Sequence, residues 1–170
     1  MWTYRGQKRP DFAVMPKPGQ ESVWDYPRPP ELVRDGRPVK VCYEDQVIAE
    51  SNSVCRLLET ASPPSFYIPA QDVNWALLRS AAGTSACEWK GVAQYWGLAA
   101  DPEAGVVGWS YPAPKGAYQK IRDYVSFYPS KLNCYVAGEK VRPQPGKFYG
   151  GWVTGEIVGP FKGEPGTGHW

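Results

Sequence analysis

Short runs of alternating apolar and polar residues dominate the chain. Over residues 39–50, Val39, Val41 and Tyr43 alternate with polar neighbours, Glu44-Asp45 turns, and Val47 and Ala49 bring the pattern back, which predicts a hairpin. Residues 54–59 (VCRLLE) predict a strand with Cys55, Leu57 and Glu59 on one face and Val54, Arg56 and Leu58 on the other. Further strands are expected at residues 66–68, 106–111, 124–128 and 133–137. A helical period occurs twice. Val73, Ala76 and Leu77 form an i, i+3, i+4 stripe that opens after Pro69, carries Asp72 in its first turn and stops at Gly83. A second short helix around residues 116–123 places Tyr118, Ile121 and Val125 on one side.

The densest stretch is TSACEWKGVAQYW, residues 84–96. It reads as a hairpin turning at Lys90-Gly91, because glycine tolerates the positive φ that tight turns need. A two-residue turn would pair Trp89 with Val92, Cys87 with Gln94 and Ser85 with Trp96, so that Cys87, Trp89, Gln94 and Trp96 share a face. That face is the expected wall of a pocket.

Composition reinforces the β reading. The 170 residues include 18 Gly and 18 Pro, which interrupt helices, and 8 Trp and 11 Tyr, which pack well on pleated sheets. The fold class expected is mainly β with two short helices. A chain of this length can bury one core. Three regions are expected: a proline-rich arm over residues 1–38 packed on the core, a β domain over residues 39–142, and a glycine- and aromatic-rich extension over residues 143–170. The apolar side chains of that extension are too dense for a solvated linker, so it should wrap the domain or join a second copy as a homodimer.

Charge narrows the function. A net charge of +2, with one small basic cluster at Arg5, Lys8 and Arg9, argues against nucleic acid as a partner. No apolar run is long enough for a membrane helix and the start of the chain has no apolar signal core, so the expected partner is no membrane and the expected compartment is the cytoplasm. The cysteines, Cys42, Cys55, Cys87 and Cys134, include no C-x-x-C pair, and the one histidine is His169. Neither a zinc site nor any cofactor is expected, and the thiols are expected to be reduced.

The blocks ESVWDYPRPP, LLETASPPSFYIPAQDV, CEWKGVAQY, GWSYPAP and YVSFYP, in that order across residues 21–142, resemble the family called domain of unknown function 427. The resemblance implies a β-tent, two antiparallel sheets meeting at an angle, of the Mss4-like kind shared with the ligand-binding domain of cereblon. Relatives of that fold hold zinc on paired C-x-x-C knuckles, which this chain lacks. A nucleotidyltransferase label also travels with the family, but the chain has neither a paired-aspartate metal motif nor a glycine-rich phosphate loop.

The candidate residues follow from these patterns. Trp89, Tyr95, Trp96, Trp109 and Tyr111 can line a cage for a flat or cationic small molecule, or else simply fill the sheets' core. Glu59 and Tyr67, on adjacent strands, would add a polar rim. Glu59 stands beside apolar Leu57 and must be paired or raised in pKa. Lys90 can pair with Glu59 or Glu88 or contact an anion, or lie solvated at a hairpin tip. Cys87 is a buried structural thiol or a nucleophile aided by Lys90. The ligand-binding set is therefore Glu59, Tyr67, Cys87, Trp89, Lys90, Tyr95 and Trp109, in a small-molecule binding module. The alternatives are an enzyme using Cys87 or Lys90 covalently with Glu59 moving the proton, and a structural homo-oligomer.

Overall fold

A computed structural model describes residues 2–170. The chain is mainly β, as the alternating pattern predicts. Its strands are β1 (Glu21–Ser22), β2 (Glu31–Asp35), β3 (Val39–Tyr43), β4 (Gln46–Ser51), β5 (Val54–Leu58), β6 (Ser65–Tyr67), β7 (Leu78–Cys87) and β8 (Gly91–Leu98). They continue with β9 (Val106–Ser110), β10 (Val125–Phe127), β11 (Asn133–Val136), β12 (Glu139–Lys140), β13 (Arg142–Pro143), β14 (Trp152–Val153) and β15 (Ile157–Val158). Two four-stranded antiparallel sheets, ordered β10-β9-β8-β7 and β12-β11-β3-β4, carry most of the pairing. A three-stranded sheet, β2-β5-β6, and two short pairs complete it.

Both four-stranded sheets turn apolar side chains into one core. Val39, Val41, Ile48 and Ala49 from β3–β4 meet Leu98, Val107, Val125 and Phe127 from the other sheet, with Phe66 and Trp152 among them. The glycine-rich extension enters this core. Trp152 is fully buried, stacks on Phe66 at 4.7 Å between centroids, and donates its indole N–H to the Phe127 carbonyl at 2.9 Å. Ile157 packs with Val23 and Trp24, where β15 pairs in parallel with β1. Phe148 departs from the expectation for this segment and stands exposed.

Short 3-10 segments stand where the sequence predicts two helices. Residues Ala70–Asp72 and Trp75–Leu77 each make one such turn, and the chain then runs straight into β7. Extended pairing outcompetes the helical stripe here. Val73 bridges to Ala49, the Asn74 N–H donates to the Ile48 carbonyl at 2.8 Å, and everything from Leu78 onward pairs with β8. Helical propensity is a weak preference that such contacts override. The later 3-10 segment, Gly116–Ile121, buries Tyr118 and Ile121 in one cluster, while Val125 goes into another, so the three do not share a side as expected. Gly83, expected to stop a helix, lies where the β7–β8 register shifts between Ala81 and Thr84. Among the described residues no helix is long and apolar enough to cross a membrane.

Candidate functional site

The β7–β8 hairpin pairs three residues away from the expected register. Cys87 pairs with Gly91, Ala86 with Val92, Ser85 with Ala93 and Thr84 with Gln94, so residues 88–90 form a three-residue loop. Gly91 closes it at φ 107°, a conformation that costs glycine little and that such longer loops require. The shift is odd, so it exchanges faces. Ser85, Cys87, Ala93 and Tyr95 face a cleft, while Trp96 turns the other way, packs on Trp75 at 4.8 Å and donates to Ser110 Oγ at 2.9 Å. Trp96 and Gln94 are thus not part of the wall.

The cleft holds about 430 Å3. Glu59, Tyr67, Cys87, Trp89, Lys90, Tyr95 and Trp109 all line it, so the seven residues singled out from sequence come together in space. Tyr111, added as a fifth aromatic of the cage, is there too. The walls are tied to one another. The Trp109 indole N–H donates to the Tyr67 hydroxyl at 3.2 Å, the Tyr95 hydroxyl donates to Ser85 Oγ at 2.6 Å, and Tyr128 lies 4.7 Å from Trp109. Burial pushes the Tyr67 and Tyr111 phenols well above their ordinary range and the Tyr128 phenol up to about 12, so all three stay neutral donors at physiological pH. Trp89 is half-buried, and its indole N–H is buried without an acceptor.

The charged groups pair otherwise than expected. Glu59 is held by Arg28, not Lys90: the guanidinium lies 3.1 Å from the carboxylate, with a side chain wholly removed from solvent. Arg28 also donates to the Tyr4 and Thr60 carbonyls, each at 2.9 Å, and lies 4.3 Å from the Trp2 ring centre. Glu88 accepts from the Trp2 indole at 2.9 Å. Lys90, expected at a solvated tip if unpaired, is 7% exposed and stands 5.4 Å from the Tyr111 ring centre. The three-residue loop folds its stem inward, and the Lys90 carbonyl accepts from the Lys115 N–H at 3.2 Å.

A second lysine, unremarked in the sequence, completes the cleft. Lys162 is 4% exposed, lies 4.0 Å from the Trp2 ring centre and 5.6 Å from that of Tyr149, and donates to the Trp170 carbonyl at 3.2 Å. Burial, helped by the neighbouring Arg28 charge, lowers its pKa. Gln144 fixes this side: its amide donates to the Lys162 carbonyl at 2.7 Å and its oxygen accepts from the Gly151 N–H at 3.0 Å. Gly150 lies flat against Trp109, where any Cβ would collide with the indole. Trp2, Arg28, Gln144 and Lys162 come from distant segments with no local periodicity. The one available signal was a lysine inside the apolar run around Phe161 and an arginine inside the arm that buries Trp24. Among the described residues no three His, Cys, Asp or Glu side chains converge as metal ligands.

The model of the family described as domain of unknown function (DUF427) matches residues 31–138. The chain belongs to this family. No curated protein matches it. The DUF427 span takes in the hairpin, Glu59, Tyr67, Trp109 and Tyr111, hence most of the aromatic wall. Trp2, Arg28, Gln144, Tyr149 and Lys162, which close the other side, lie outside that span.

Proposed function

We propose that this DUF427 chain binds a small molecule in the aromatic cleft. The observation that carries the reading is an aromatic-lined cleft whose rim rings, Trp89, Tyr95, Tyr128 and Tyr149, stay partly exposed. Side chains from β6, the β7–β8 hairpin, β9 and the extension all turn into one space of about 430 Å3 and leave it open. Each aromatic ring kept in contact with water forgoes burial worth roughly 25 cal/mol per Å2, and a ligand restores it. A cleft of this size, mostly aromatic with a few placed polar groups, has the form of a ligand site. Binding is favoured over covalent catalysis by the fate of Glu59. Cys87 and Lys90 share the cleft, but the carboxylate expected to move their proton is engaged by Arg28.

The test is mass spectrometry of what the purified protein retains after equilibration with cell extract and desalting. The expected result is a stoichiometric small molecule, released on unfolding and absent from the Trp89→Ala variant, whose side chain lines the wall without anchoring the core. Equal retention by both proteins, or no retained compound with a melting temperature unmoved by planar compounds, would overturn the reading.

A further inference from the structure

Buried cationic side chains at the cleft outnumber its carboxylate side chains. Its buried cationic side chains are Lys90, Lys162 and the adjoining Arg28, at 7%, 4% and 5% exposure. Against them stand Glu59, engaged by Arg28, and Glu88, which is exposed and accepts from Trp2. Lys90 has no carboxylate within ion-pair distance among the described residues, whereas Lys162 donates to the main-chain oxygen of Trp170, the last residue, at 3.2 Å. A buried ammonium without a counter-charge is costly, because low-dielectric surroundings replace its hydration. What the protein supplies instead are ring faces: Tyr111 for Lys90, and Trp2 and Tyr149 for Lys162. Such contacts offset only part of the loss. Burial and the Arg28 charge lower the Lys162 pKa, and Glu59 opposes them in part.

We infer that the occupant of the cleft is a planar organic anion, its ring against the tryptophan and tyrosine walls and its acid group drawn in by Lys90 and Lys162. This rests on the binding reading above and adds the ligand's charge and shape to it. The planar part follows from ring-lined walls, where Trp109 meets Tyr67 edge-on and Tyr128 at a tilt, so that an aromatic ring finds both faces and edges to pack on. The acidic part follows from Lys90, whose buried ammonium has no oxygen partner among the described residues, with Lys162 on the opposite bank of the cleft. Carboxylate and phosphate share this chemistry, a charge-assisted hydrogen bond to a desolvated ammonium.

The experiment uses the whole chain and four probes on one scaffold: naphthalene-2-carboxylate, 2-naphthyl phosphate, naphthalene-2-carboxamide and 2-naphthylmethylammonium. Tryptophan fluorescence and calorimetry read the affinities. At least one anion is expected to bind about tenfold or more tighter than the neutral amide, the gain of one charge-assisted contact, and the cation weakest. Whichever anion binds tighter names the acid group. Lys162→Met and Lys90→Met, each retaining the apolar stem, should lose that preference while keeping affinity for the amide. Loss in either variant supports the inference and tells at which end the acid lies. Equal binding of anion and amide, or tighter binding of the cation, overturns the inference and leaves the binding reading standing. No binding by any probe overturns both. The wild-type comparison decides the matter even where a lysine variant folds poorly.

Discussion

Two clusters of buried side chains in this molecule share strands but not character. Strands β8 and β9 send Leu98 and Val107 into an aliphatic core and Ala93 and Trp109 into the aromatic cluster beside the cleft. The first is closed: valines, isoleucines and phenylalanines from both large sheets meet, and Trp152 seals them from the extension. The second is built of Tyr67, Tyr111, Tyr118 and Trp109, with the Trp109 indole bonded to the Tyr67 hydroxyl and the Tyr118 hydroxyl to the Pro30 carbonyl, and it remains open to two buried lysines. The register shift between Trp96 and Gly97 in the β8–β9 pair lies between the two. The difference teaches how one sheet serves both purposes. Aliphatic groups have no directional preference and collapse until no space is left, whereas aromatic groups with polar tips satisfy each other along their edges and can hold a concavity.

The comparison predicts its own breaking points. The largest effect should come from emptying the closed core. Trp152→Ala removes a fully buried, stacked and hydrogen-bonded indole and should cost about 3–5 kcal/mol, whereas Trp89→Ala, half-buried on the cleft wall, should cost roughly half of that or less. Urea midpoints that fall equally would show the cleft wall to be as closed as the core.

Next comes the ion pair at the cleft. Glu59→Gln leaves the buried Arg28 guanidinium without its counter-charge. Breaking a fully buried pair costs about 3–5 kcal/mol, and with the Glu59 side chain 22% exposed the expected loss is about 2 kcal/mol. Asp25→Asn, which breaks the exposed pair with Arg9, should leave the urea midpoint unchanged. A reversed order would remove Arg28 from the supports of the cleft.

Acid should weaken a third region, outside both clusters. Burial pushes the Glu21 carboxyl up, but hydrogen bonds from Arg56 and Tyr26 outweigh it and hold it below the usual range. Asp35 likewise is raised by burial and lowered further by Arg37. Groups depressed in the folded state add stability that is complete above their unfolded pKa of about 4 and is lost as pH falls through the lowered values. Urea midpoints should therefore decline below about pH 4, less steeply in Glu21→Gln. An identical slope in that variant would contradict the assignment.

The thiols offer a gentler probe. Cys134 lies inside the aliphatic core and Cys55 behind the aromatic cluster, and burial raises both pKa values. Cys87 and Cys42 are half-buried and should react with iodoacetamide first in the native protein, with Cys134 last. Cys134 labelling at the rate of Cys87 would mean that the core opens as readily as the cleft. The smallest effect expected is none: with no three ligand side chains converging among the described residues, a chelator should leave the melting temperature unchanged.

Much of this was written locally in the chain. The alternation in residues 39–50 gives β3, β4 and the Glu44-Asp45 turn as observed. The two faces of residues 54–59 separate in space as read, with Cys55 and Leu57 in the aromatic cluster and Val54 and Leu58 in others. Strand periodicity survives because each strand buries one face against something. The stripe at Val73, Ala76 and Leu77 misled because three positions at helical spacing also suit two tight turns leading into a strand, and pairing with β4 and β8 decides between them. Turn placement misled at residues 88–90, since Gly91 serves equally as the second residue of a two-residue turn or as the residue closing a three-residue loop, and the resulting three-residue change of register moved Trp96 out of the wall. Arg28 and Lys162 were out of reach for another reason. Their partners, Glu59 and Trp2, are brought to them only by the completed fold.

That dependence governs when the site can exist during synthesis. β1 pairs with β15 across nearly the whole chain, Glu21 against Ile157, and Lys162 follows only after it. A nascent polypeptide that has left the ribosome as far as β12 already contains both large sheets and every aromatic residue of the hairpin. It still lacks Gln144, Gly150, Trp152 and Lys162, so its core is unsealed and one bank of the cleft is missing. Loop closure over such a span comes at a late stage and is slow compared with local hairpins. The cleft is thus complete only once the segment through Lys162 has joined the fold.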